Sequence, residues 1–114
     1  MQAEKDRILL STYTSEDDIL RRRDGALAAI DSRIKHSEQV TAGLQDSLAK
    51  LQSRAAKRER RGKTVDERLL RDIDGTRKQI ADNKAFVEAR NEEKDEINKA
   101  FDSDLARWRE LRGD

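Results

Sequence analysis

The sequence has no cysteine and no proline, and only one histidine and four aromatic residues among its 114 positions. Without cysteine there is no disulfide and no thiol chemistry, and this absence suits cytoplasm and periplasm equally. The single histidine, His36, leaves no His-based metal cluster or catalytic pair, and its lack of partners reads as a solvated helix position. No apolar run approaches the roughly twenty residues that a membrane span needs. The start, Met1-Gln2-Ala3-Glu4-Lys5, does not read as a signal peptide. Hydrophobic residues make up 34% of the chain, with too few large ones to fill a compact globular core. An excess of one charge is missing too, with 25 basic against 24 acidic residues. Disorder usually goes with high net charge, so this balance argues against it, and it gives no global reason to expect nucleic acid.

What the chain does have is charge, at 43% of residues, together with abundant Ala, Glu, Lys, Leu and Arg at helical spacing. That combination predicts a single all-α domain over 1–114. Its strongest interruption is Arg60-Arg61-Gly62-Lys63-Thr64-Val65-Asp66-Glu67. Gly62 suits the left-handed position just past a helix end. Thr64 with Glu67 has the spacing of a capping box. Basic residues before the break and acidic residues after it match the helix dipoles. A stop followed at once by a start folds the chain back, so a long antiparallel helical hairpin is expected with its turn at 62–64.

Ahead of the hairpin, residues 3–11 read as a short helix carrying Ile8, Leu9 and Leu10. Ser11-Thr12-Tyr13-Thr14-Ser15 then breaks it, because hydroxyl side chains compete for the backbone. Ser15 with Asp18, or Thr14 with Asp17, resembles a capping box and starts a helix expected over 15–61. Its apolar residues follow a heptad, with Leu20, Leu27, Ile34, Thr41, Leu48 and Ala55 at a and Arg23, Ile30, Ser37, Leu44, Leu51 and Arg58 at d. Gly25 and Gly43 are expected to be tolerated inside it. The last helix, expected over 65–112, places Ile73, Ile80, Val87, Lys94, Phe101 and Trp108 at a. Leu69, Thr76, Asn83, Arg90, Ile97, Asp104 and Leu111 fall at d. Folding about residues 63–64 matches apolar layers with apolar and polar with polar, which supports a coiled-coil hairpin. Phe101 and Trp108 are expected under Ile8, Leu9 and Tyr13. Ile19, Val40, Leu70, Phe86 and Leu105 fall beside the seam, and this predicts an exposed flank and self-association into a dimeric four-helix arrangement.

No motif for catalysis accompanies this pattern. Most carboxylates sit at the spacing of helix-surface ion pairs, such as Glu67 with Arg71 and Asp74 with Lys78. There is no phosphate-binding glycine loop, nucleophile elbow or metal-ligand spacing, so no enzyme, cofactor or metal is expected. The sharpest functional candidate is a basic contact tip of Arg54, Lys57, Arg58, Arg60, Arg61 and Lys63, opposed between 54 and 63 by Glu59 alone. Such a tip suits nucleic acid phosphates, anionic lipid or an acidic protein. Against this, basic residues at a helix C-terminus also answer the dipole, and no aromatics interleave them. The stretch 91–104 has the opposite balance, with six acidic residues against Lys94 and Lys99. If two hairpins pair, that polarity favours an antiparallel arrangement; the equal alternative is that both clusters only answer the helix dipoles and have no partner.

Two stretches resemble a known family. They are Asp6-Arg7-Ile8-Leu9-Leu10-Ser11-Thr12-Tyr13-Thr14-Ser15-Glu16-Asp17-Asp18, followed by Arg23-Asp24, Leu27 and Ala29 to Ile34, and the ending Phe101-x-x-Asp104-Leu105-Ala106-Arg107-Trp108-Arg109-Glu110-Leu111. They are similar to the C-terminal region of uncharacterised proteobacterial cell-envelope proteins. In that family a secretion signal and a small N-terminal domain of unknown function precede a charged helical region. The resemblance implies a periplasmic or envelope-associated coiled-coil module, with the leader and small domain absent from this chain, and it brings no catalytic residues. The expected function is therefore a non-enzymatic structural or protein-interaction module, with a nucleic-acid-contacting arm as the alternative.

Overall fold

The structure is a computed structural model that describes residues 1–113. It contains α1 (Gln2–Thr12), α2 (Glu16–Arg60) and α3 (Glu67–Arg112), with no strand among the described residues. The fold is all-α, an antiparallel helical hairpin preceded by a short helix. Gly25 and Gly43 do not interrupt α2.

Local chemistry explains where each helix stops. The Ser11 and Thr12 hydroxyls both donate to the Ile8 carbonyl, at 3.0 and 2.7 Å, and Tyr13 turns extended at φ −111° and ψ 135°. Ser15 caps α2 by accepting the Asp18 backbone N–H at 3.1 Å, while the Asp18 carboxylate accepts the Thr14 N–H at 3.1 Å. That second bond is the main reason the Asp18 carboxyl titrates below its ordinary value. At the other end of α2, Gly62 adopts φ +71°. The Lys63 N–H donates to the Arg58 carbonyl at 2.9 Å and the Gly62 N–H to the Glu59 carbonyl at 3.0 Å, which together form a Schellman motif. No atom lies within 4 Å of where a Cβ would stand on Gly62, so backbone torsion, not crowding, favours glycine there.

The start of α3 corrects the expectation from sequence. Thr64 is not the cap, and the helix begins at Glu67, two residues later than expected. Asp66 caps it, its Oδ1 accepting the Leu69 N–H at 2.8 Å. A carboxylate is a stronger acceptor than a hydroxyl and also complements the positive helix end. Asp66→Ala is therefore expected to cost about 1 kcal/mol. Thr64→Ala is expected to stay within about 0.5 kcal/mol of wild type. Urea denaturation of the two variants checks the assignment, which equal losses would contradict.

The chain divides into two units, Met1–Ser32 with Arg90 onward and Arg33–Ala89, with α2 and α3 running through both. In the first unit the core holds Ile19, Ile30 and Trp108. Lys94 Nζ meets Asp31 at 2.5 Å, and Arg109 meets Glu16. Asp31 to Glu16 is fifteen residues back along α2, and Lys94 to Arg109 is fifteen forward along α3, so the two helices run antiparallel here. The short helix α1 is held against α3 by a two-pronged pair, with Arg107 Nε and Nη2 at 2.9 and 2.6 Å from the Asp6 carboxylate. Those bonds hold the Asp6 carboxyl down at about 2. Leu9 and Tyr13 line the cleft that α1 forms with Ser103, Asp104 and Arg107. Arg22 stacks on the Tyr13 ring at 5.2 Å.

Two expectations fail in this unit. Ile8 does not act as a cover, being 55% exposed, and Ile19 lies at the core with 0% exposure, not on an open flank. Three helices meet in this unit, so positions beside a two-helix seam are closed over.

In the second unit the buried residues are Ile34, Ser37, Leu69, Ile73 and Ile80. Thr41, Leu44, Leu48, Leu51, Ala55, Thr76, Asn83 and Val87 are half-buried, so each a and d position assigned from residue 34 to 55 and from 69 to 87 turns inward. The exposed-flank expectation holds for Val40 and Leu70, at 42% and 48% exposure. Phe86 is half-buried, with the Arg33 guanidinium over its ring at 5.5 Å. Lys78 pairs with Asp82 at 3.6 Å, not with Asp74.

Candidate basic contact site at the turn

The six basic residues singled out from the sequence all fall in the second unit, where α2 ends and the chain reverses. Helical spacing explains which of them converge. Positions 54, 57, 58 and 61 are separated by three or four residues and so share one side of α2. Arg54, Lys57, Arg58 and Arg61 line a shallow open groove of about 430 Å³ between the last turns of α2 and the first turns of α3. Arg60 and Lys63 do not line it.

The facing wall comes from α3 and consists of Asp66, Arg68, Leu69 and Asp72. Leu69 is buried. Arg68 was not among the residues the sequence pointed to, because it is isolated in sequence between Glu67 and Leu69. The fold-back register was the available signal, since it brings the first turn of α3 beside the last turn of α2.

Arg58 plays a different part from its neighbours. Its Nη1 donates to the Thr64 carbonyl at 3.4 Å and lies 3.5 Å from Asp66 Oδ2. It ties the turn to the cap of α3, and its charge is partly met inside the chain. Arg54, Lys57, Arg61 and Arg68 carry the groove's remaining positive charge, against Asp72. Protein-family models, curated proteins and solved structures were compared with the chain, and none matches.

Elsewhere the chemistry is sparse. His36 is exposed, and among the described residues no three His, Cys, Asp or Glu side chains gather as a metal site would require. Among the described residues no helix is long and apolar enough to cross a membrane. Asp104 is half-buried beside α1, and burial raises its carboxyl above the ordinary value. Tyr13, in the same cleft, is raised first by burial and then by the Asp104 charge. These two groups belong to the packing of α1 on α3.

Proposed function

We propose that the chain is a non-enzymatic structural or protein-interaction module that pairs with a second copy of itself. The observation that carries this reading is the thinly covered seam of the second unit. Leu44, Leu48, Leu51, Phe86 and Val87 are only half-buried, and Val40 and Leu70 stand open to solvent. Apolar surface left at a two-helix seam is covered when another helix pair docks, giving a four-helix arrangement.

Charge gives the pairing a direction. Residues 33–89 carry 14 basic and 9 acidic side chains, while residues 1–32 with 90–114 carry 11 basic and 15 acidic. Pairing that sets the basic residues of one copy on the acidic residues of the other is favoured over like against like. Such surface contacts contribute a few tenths of a kcal/mol per pair and are screened over about 8 Å in physiological salt, so they select orientation more than affinity.

Sedimentation is expected to give a dimer at micromolar concentration, and Val40→Asp with Leu70→Asp is expected to shift it toward monomer with helicity kept. Cysteines placed at Lys63 and at Asn98 are expected to form mixed crosslinks between copies under mild oxidation. A monomer mass at high concentration removes the proposal, and crosslinks joining only Lys63 to Lys63 remove its orientation.

A further inference from the structure

We infer that the groove at the turn binds the phosphate backbone of nucleic acid, without reading its sequence, through Arg54, Lys57, Arg61 and Arg68. The ordinary explanation of the basic tip is the helix dipole, which favours cations over the last turn of α2. That explanation covers Arg61, Lys57 and, more weakly, Arg54. It does not cover Arg68. In the first turn of α3 a cation faces the positive end of the dipole and is disfavoured, yet Arg68 is there and lines the same groove as the α2 residues. The groove thus gathers positive charge from both helices, opposed within it by Asp72 beyond the Arg58–Asp66 pair.

The wall chemistry selects the anion. Three of the four residues are arginines, whose planar guanidinium forks match phosphate oxygens in pairs. Along the end of α2 and the residue that follows it, positions 54, 57 and 61 span about 10 Å at 1.5 Å per residue, long enough to follow successive phosphates along a strand. No aromatic residue lies between 54 and 72, and the apolar Leu69 in the wall is buried. A protein partner is usually gripped by exposed aromatic or apolar anchors, and a membrane-surface helix inserts an apolar face. This groove offers neither, and what it presents is charge suited to a polyanion of regular spacing. The lack of stacking aromatics favours a duplex over a single strand. Asp66 and Arg58, already joined to each other, hold the shape of the turn and are not counted among the contacts.

The test is binding of a short mixed-sequence DNA duplex, followed by fluorescence anisotropy across a salt series. Four phosphate contacts give a slope of log affinity against log salt near −3.6, or a loss on the order of a hundredfold between about 50 and about 200 mM salt. Each of R61Q and R68Q is expected to weaken binding and to reduce that slope by about one. The quadruple variant R54Q/K57Q/R61Q/R68Q is expected to abolish retention. R21Q/K35Q/R77Q/K99Q, which removes the same charge elsewhere, is expected to keep it. Circular dichroism checks that the quadruple variant is folded; if it is not, the two single variants carry the test. No binding at low salt overturns the proposal, as does equal loss in the matched-charge control. An effect of R61Q without one of R68Q overturns the groove as the site. Binding to phosphatidylglycerol vesicles, dependent on these four residues and absent with the duplex, would assign the groove to a lipid surface and overturn the nucleic acid assignment.

Discussion

Trp108→Ala is expected to destabilise the first unit by about 3–5 kcal/mol, the range for removing a large aromatic from a packed site. Trp108 is 3% exposed, and among the described residues of that unit the other buried apolar side chains are Ile19 and Ile30. The Arg112 guanidinium lies over its ring at 4.7 Å, so part of its surface is covered by a cation. A core this small has few neighbours able to collapse into the space left behind. Loss of a large fraction of a typical 5–15 kcal/mol stability would follow. Urea unfolding monitored by circular dichroism measures the cost directly. A loss below about 1 kcal/mol would mean that Trp108 is not a core residue. The milder Trp108→Phe keeps most of the apolar area and separates lost packing from general intolerance of the position.

The second large effect is expected at Ile19. Ile19→Ala should cost about 2–5 kcal/mol, because the side chain is fully enclosed at 0% exposure. Val40→Ala and Leu70→Ala, at 42% and 48% exposure, are expected to change monomer stability by no more than about 0.5 kcal/mol. Heptad position treats all three alike, since each lies beside the seam and not in it. The contrast therefore measures what enclosure in the first unit adds at such a position. Trp108 is the single tryptophan, so its emission also reports whether Ile19→Ala loosens that unit at low denaturant. Equal costs at Ile19 and Val40 would show that Ile19 is not a core position.

Periodicity and backbone torsion carried much of the fold on their own. A seam repeating every three and four residues can be buried on only one face of a helix, and the a and d positions of both long helices turn inward, apart from Arg58 at the end of α2. Gly62 had to mark the reversal, because a residue just past a helix end adopts positive φ, where a Cβ is strained. Ser15 and Asp18 were legible as a cap for a similar reason, since a hydroxyl and a carboxylate three residues apart can reach each other's backbone N–H groups or those nearby. These are local constraints, and local sequence contains them. The cap of α3 was a competition, with Thr64 and Asp66 both chemically able. The path of the chain after Gly62 decided it, placing Asp66 at the N–H of Leu69 while Arg58 reached the Thr64 carbonyl. Ile8 is exposed for a non-local reason, because which side of α1 is covered depends on its dock against α3 through Asp6 and Arg107, 101 residues apart. Arg68 joined the basic groove in the same way. Its charge was visible in the sequence, but only the return of α3 alongside α2 set it across from Arg54, Lys57 and Arg61. Helix identity followed from spacing along one stretch of chain, while burial and charge clustering within each unit depended on pieces brought together by folding.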